Sequence, residues 1–292
     1  MELELKRGGR TARVETLGGE LVSYRDERGL EYIWGGDPAY WTGRNPLLFP
    51  IVGMLKEGKI RFDGREYAME RHGFARRREF TPAARGEDWV RLELRESAET
   101  LALYPYSFRL AVEQRLTDTG FSTAVTVANP GEGPLPFCLG AHTGFRCPLE
   151  AGERFEDYEL VFPERESCPT LLLRDGLLDR PAALPCLEDT DTLPLDYRWF
   201  DALDTLIFEG LRSRSVTLRS RKSGRGVRVS FDGFPMLAFW TMPGKKAPYL
   251  CIEPWHGCAA GTAEGPEFTD KAHCIVLAPG ESRTLAYRAD TL

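Results

Sequence analysis

The sequence predicts an all-β protein, a large antiparallel β-sandwich built as a single domain over residues 1–292. Three observations carry that expectation. Apolar residues recur with period two in many short segments, and turn signals separate those segments at about 8–12 residues. Sustained 3.6-residue periodicity is nearly absent, which argues against helical layers. No repeat of roughly 20–50 residues recurs, which argues against a propeller.

Taken in order, residues 11–17 and 20–24 read as strands around Gly18-Gly19, and Asp26 to Gly29 turn the chain into Leu30–Trp34. Leu47 to Val52 is an apolar run of the kind a buried segment needs. Ile60 and Phe62 alternate before Asp63-Gly64, and Tyr67 and Met69 after it, the pattern of a hairpin with a two-residue turn at positive φ. Val90, Leu92 and Leu94 form the next strand, and Ser97-Ala98-Glu99-Thr100 opens a short helix. Phe108 to Leu116 and Phe121 to Val127 follow as long strands with one wet face, joined by a turn at Thr117–Gly120.

Between Pro130 and Pro136 a proline- and glycine-rich loop delivers Phe137–His142 into the next strand. Ser167 to Leu195, rich in proline and acidic residues, reads as an irregular excursion over the surface. Alternation resumes at Thr205–Glu209, Ser215–Arg219, Val227–Phe231, Met236–Trp240, Tyr249–Glu253 and Thr284–Arg288.

A hydrophobic content of 42% with 28% charged residues fits a globular protein with a substantial core. The net charge of −6 gives no general attraction to nucleic acid or anionic membrane, and neither is expected as a partner. The run Arg76-Arg77-Arg78 reads as a solvated face. The first ten residues carry charges where a signal peptide needs an apolar stretch, and no apolar run approaches the roughly 18 residues of a membrane span, so a cytoplasmic location is expected. Seven irregularly spaced cysteines fit reduced, buried thiols. His72, His142, His256 and His273 show no His-x-x-x-His spacing, so a metal site has a weak case, resting on convergence of residues distant in sequence, and no metal ligand is expected.

Three polar islands interrupt apolar strand contexts: Arg71-His72-Gly73-Phe74, Gly140-Ala141-His142-Thr143-Gly144-Phe145 and Cys251-Ile252-Glu253-Pro254-Trp255. Glu253 ends an apolar strand, and a carboxylate buried there needs a partner for its charge or its proton. A histidine across a small cavity would provide one, giving a proton acceptor and a proton donor near neutral pH. Singly, each of the three residues also suits a local structural role, and His256 and His273 suit one better than a catalytic one.

Three stretches, Arg44 to Arg76, Gly140 to Pro148 (GAHTGFRCP) and Phe234 to Gly257 (FPMLAFWTMPGKKAPYLCIEPWHG), together resemble the aldose 1-epimerase family, which is galactose mutarotase-like, in particular its LacX-type branch. The resemblance implies a galactose mutarotase-like supersandwich. It also implies interconversion of the α and β anomers of a hexose or related aldose, with or without a phosphate, and requires no cofactor. By position, Glu253 matches the general base on the anomeric hydroxyl, and His142 the general acid on the ring oxygen. His72 and Arg44 match sugar-binding positions, and Asp204 matches a substrate-binding aspartate, with Asp201 three residues upstream as the alternative. Trp240 and Trp255 offer flat faces to a pyranose, and Arg76, with Arg44, offers a guanidinium to a sugar phosphate or else braces the hairpin. A sugar-binding protein without turnover and a glycoside hydrolase remain as alternatives. The hydrolase needs two flanking carboxylates, and Glu164 and Glu166 read as part of a polar loop.

Overall fold

A computed structural model describes residues 1–292. Fifteen strands form one continuous antiparallel sheet, and a three-stranded sheet and two small ribbons complete the β structure. Only two α-helices are present, Ala98–Leu101 and Tyr197–Leu203. The first is capped by the Ser97 side chain, as the sequence predicts. No helix is long and apolar enough to cross a membrane.

The large sheet folds over through one long strand, Tyr158–Arg174. Its first residues pair with Ser215–Ser220, while Leu171 pairs with Ile207 of the Thr205–Glu209 strand. A strand that changes partners in this way makes the corner of a sandwich. Side chains tie the layers together: the hydroxyls of Thr143 and Tyr287, from opposite halves, donate to Asn45 Oδ1 at 2.7 and 3.0 Å. One cluster of 73 buried hydrophobic residues runs from Leu3 to Ala289 between the layers.

The alternation at Thr205–Glu209 and Met236–Trp240 corresponds to strands with those bounds. The hairpin Lys59–Phe62/Arg65–Ala68 turns at Asp63 and Gly64, both at positive φ (51° and 76°). The expected surface excursion at Ser167–Leu195 is instead a second hairpin, Tyr158–Arg174 with Leu177–Pro194. It turns at Asp175-Gly176 with a similar pair of positive φ values, 51° and 78°.

Proline misleads here because Leu177–Pro194 has Tyr158–Arg174 as its one partner strand, apart from an isolated bridge from Leu178 to Gly261, so an edge tolerates the missing N–H groups, and the ladder shifts register repeatedly between Val161 and Leu172. Leu30–Trp34 also differs from expectation, making isolated bridges at Glu31 and Ile33 in place of a strand. The chain begins with a strand at Glu2–Arg7, one not anticipated from the alternation of Leu3 and Leu5.

Candidate active site

The site is laid out by strand register. Tyr249–His256 pairs on one side with the segment 139–146: Leu139 opposes His256, Gly140 opposes Trp255, Thr143 opposes Ile252 and Gly144 opposes Cys251. The same register sets His142 directly opposite Glu253. On the other side Ala238 opposes Glu253 and Trp240 opposes Cys251. Opposed residues share a face, and residues two apart share it as well. His142, Glu253, Cys251, Trp240 and Trp255 are thereby aimed the same way, and His142 Nε2 lies 3.4 Å from Glu253 Oε1.

His142, Glu253, Trp240 and Trp255 form the floor of a cavity of about 600 Å³, within the roughly 300–1,000 Å³ range of small-molecule sites, while Cys251 is fully buried and does not line it. Trp41, Trp240 and Trp255 line it, together with His72, Arg71, Arg76 and Asp204. Trp41 stacks on His142 with ring centroids 4.8 Å apart and planes at 29°. Gly144 eases that approach, since a Cβ there would stand 3.1 Å from the Trp41 ring, tighter than an ordinary contact.

His72 stands edge-on to His142, with centroids 5.7 Å apart. Its backbone is left-handed, φ 68°, and Gly53 N–H donates to its Nδ1 at 3.1 Å. That bond fixes the proton of the neutral ring on Nε2. The next residue must be glycine, because a Cβ on Gly73 would sit 2.2 Å from the Phe49 carbonyl oxygen.

Arg76 departs from the solvated face expected of its run. Arg77 and Arg78 pair at the surface with Glu70 and Glu99, whereas Arg76 is half-buried on the cavity wall, with Nη2 donating to the Arg71 carbonyl at 2.9 Å. Asp204 lines the cavity at φ 63°, and Asp201 is occupied elsewhere, accepting from Gly244 N–H at 2.6 Å.

Arg44 is the exception among the expected binding residues. Its guanidinium reaches Glu15 Oε1 and the Gly35 carbonyl, both at 3.2 Å, and it does not line the cavity. Arg44 and Arg76 therefore do not converge, and Arg71 is the second guanidinium on the wall. Arg44→Ala is expected to leave the half-saturating sugar concentration unchanged, whereas Arg76→Ala raises it about 10-fold, the cost of one hydrogen bond from a charged group; initial rates against concentration for both variants check this.

Trp41, Arg71, Met54 and Asp175 also line the cavity and were not anticipated from sequence. Asp175 had a signal: Asp175-Gly176 between two leucine-rich segments is the same turn signature as Asp63-Gly64. Trp41 had none beyond its proximity to Arg44. His256 and His273 have structural roles, His256 Nδ1 lying 2.8 Å from the His273 carbonyl and His273 reaching Glu209 at 2.5 Å. Glu166 is buried against the backbone N–H groups of Arg212 and Ser213, away from the cavity.

Burial dominates the electrostatics. It pushes Glu253 well above the ordinary carboxylate range, with the nearby charge of Asp204 acting in the same direction. It holds His142 down at about 3, and His72 well below the ordinary imidazole value, with His142 and Arg76 adding to the effect on His72. Both members of the pair thus favour their uncharged forms, Glu253 carrying the proton. Since the value of Glu253 is raised on folding, its contribution to stability is full below the unfolded-state value of about 4.3 and is lost as pH rises through the folded-state value. Glu253→Gln is expected to melt about 2–4 °C above the parent near neutral pH, roughly 1 kcal/mol, with the gap closing in acid; calorimetry across pH tests the trend.

The cavity thus sets a buried carboxyl against an imidazole, between tryptophan faces and guanidinium groups, a lining suited to a small polar molecule. The model of the aldose 1-epimerase family matches residues 1–289. The plasmid-encoded protein LacX of Lactococcus lactis subsp. lactis is 41% identical over 98% of both chains, and its chromosomal counterpart is 40% identical over the same share. Among solved structures, a galactose mutarotase related enzyme from Lactobacillus acidophilus superposes with a TM-score of 0.95 at 27% identity, covering 100% of this chain and 97% of its own. A galactose mutarotase-like protein from Lactobacillus casei ATCC 334 gives 0.93 at 27%, with all of both chains covered. The chain belongs to the aldose 1-epimerase family, a family of isomerases acting on sugars.

Proposed function

We propose that this chain is a mutarotase in which Glu253 is the general base and His142 the general acid. The observation that carries the reading is the buried pair itself, 3.4 Å apart on the floor of the cavity. Glu253 takes the proton of the anomeric hydroxyl while His142 gives one to the ring oxygen, so the ring opens to the free aldehyde. Rotation about one bond and closure on the other face yield the second anomer.

The proton inventory fits this cycle. A protonated Glu253 with a neutral His142 holds the same number of protons as a carboxylate with an imidazolium, so a sugar that stabilises the charged form activates the pair without exchanging protons with solvent. His72 and Arg76 hold the oxygens on which charge develops, Asp204 receives a hydroxyl, and Trp240 and Trp41 face the C–H side of the ring.

The pair titrates as a unit, so the rate falls both when it gains a second proton and when it loses the shared one. Because His142 is held down at about 3 and Glu253 is raised, the acid limb of kcat/KM is expected below the ordinary imidazole value and the alkaline limb above the ordinary carboxylate value. A pH–rate profile checks both limbs; an acid limb at the ordinary imidazole value contradicts the assignment.

A phosphorylated aldose is the second reading, favoured by two guanidinium groups, Arg71 and Arg76, on one wall. The experiment is the rate at which freshly dissolved α-glucose, α-galactose and a hexose phosphate reach anomeric equilibrium, followed by NMR with and without protein. Acceleration supports the reaction and ranks the substrates. No acceleration of any of the three, with binding retained, identifies a sugar-binding protein. We further read residues 1–292 as one domain, on the strength of the core cluster of 73 residues that runs from Leu3 to Ala289, acting in the cytoplasm without a nucleic-acid partner.

A further inference from the structure

We propose that His142, Cys251 and Glu253 form a three-ligand site for a borderline-soft divalent cation, Zn²⁺ above all, and that the ion, when bound, excludes sugar. Cys251 has no part in the proton transfers described above. It lies two residues before Glu253 on the same strand face, opposite Gly144, and otherwise packs beside Trp34, Ala247 and Tyr249. One ligand atom from each of the three residues lies within 4.8 Å of the others. The 3.4 Å between His142 Nε2 and Glu253 Oε1 matches the edge of a tetrahedron with metal–ligand bonds of about 2.0–2.1 Å, whereas the ligand atoms as a set spread to 4.8 Å, so Cys251 closes on the other two as the ion binds.

All three side chains are at least nine-tenths buried, with exposures of 8% for His142, 0% for Cys251 and 1% for Glu253, and Glu253 Oε2 has no hydrogen-bond partner. A buried acceptor left unsatisfied on the floor of a cavity is open to a ligand, here either the ion or the sugar hydroxyl it excludes.

The chemistry of the donors selects the ion. Thiolate, imidazole and carboxylate together suit Zn²⁺ or Co²⁺, whereas Mg²⁺ and Ca²⁺ require oxygen shells of six or more. A thiolate and a carboxylate cancel the charge of a divalent ion, so the filled site is neutral in surroundings where net charge is costly. The other charged or titratable groups near the site are His72, Arg76, Asp204 and Tyr249. Binding displaces the protons of Cys251 and Glu253, so affinity rises with pH. The ion also occupies both proton-transfer groups, and it therefore competes with sugar.

The test is a titration of the reduced full-length protein with Co²⁺, read by absorption. The expected result is one equivalent bound with the strong visible bands of a tetrahedral ion and a thiolate-to-cobalt charge-transfer band, all displaced by Zn²⁺. Cys251→Ser is expected to lose the charge-transfer band, and His142→Asn to weaken cobalt binding at least ~10-fold. Only weak octahedral bands in the parent protein, or a charge-transfer band unchanged in Cys251→Ser, would overturn the site. His142→Asn keeps the question open to refutation should Cys251→Ser fail to fold, because unweakened binding in that variant is equally fatal.

The spectra read the site whatever the sugar chemistry. A second arm rests on the mutarotase reading: Zn²⁺ inhibits anomer exchange competitively with sugar in the parent, while Cys251→Ser keeps its turnover and resists the ion. Noncompetitive inhibition, or equal inhibition of both proteins, overturns the exclusion of sugar by this ion.

Discussion

Glu253→Gln is expected to reduce the acceleration of anomer exchange by about 10²–10⁴-fold, the contribution of one positioned proton-transfer group and equivalent to about 2.7–5.4 kcal/mol of transition-state stabilisation. Glutamine keeps the shape and the place opposite His142 and Ala238 but cannot accept a proton from the anomeric hydroxyl. Sugar affinity is expected to remain within a few-fold, because the walls and rim of the cavity are untouched. Tryptophan fluorescence can report that affinity, since Trp41, Trp240 and Trp255 all line the cavity. A loss confined to kcat identifies the base. A variant turning over at the parental rate would remove Glu253 from the chemistry, and a loss confined to KM would reduce it to a binding group.

The second large effect is expected from His142→Asn, of the same order, about 10²–10⁴-fold in kcat. Asparagine can hydrogen-bond to the ring oxygen but cannot deliver a full proton to it. The combined variant with Glu253→Gln is expected to be little worse than the slower single variant, because the two groups act on one concerted transfer and removing either disables it. Multiplication of the two losses would show independent roles and contradict the shared-proton cycle. The Trp41 stack on His142 adds a structural readout, since its loss alters tryptophan fluorescence without reference to turnover.

Most strands were legible from alternation because one face of an antiparallel strand meets the core and the other meets water. Asp63-Gly64 was legible because its turn requires two left-handed residues. The long hairpin from Tyr158 to Pro194 was hidden because proline, which ordinarily counts against strands, is harmless on an edge and at register shifts. The same hairpin carries Asp175 to the cavity rim, so one misread segment also removed a lining residue from view.

By itself, the sequence determined the fold class and the family, and singled out Glu253 and His142 for the proposed chemistry, because strand periodicity and the GAHTGF and IEPW motifs are local properties of the chain. The tertiary structure alone decided which arginine serves the cavity. Arg44 and Arg76 are equally plausible as letters, but Arg44 is held by Glu15 and the Gly35 carbonyl, whereas the short helical turn Ala75–Arg77 carries Arg76 onto the cavity wall. It also set Asp204 in the cavity and engaged Asp201 with Gly244. Register is a relation between strands distant in sequence, fixed by the packing of whole layers, and a shift of one residue would turn His142 away from Glu253.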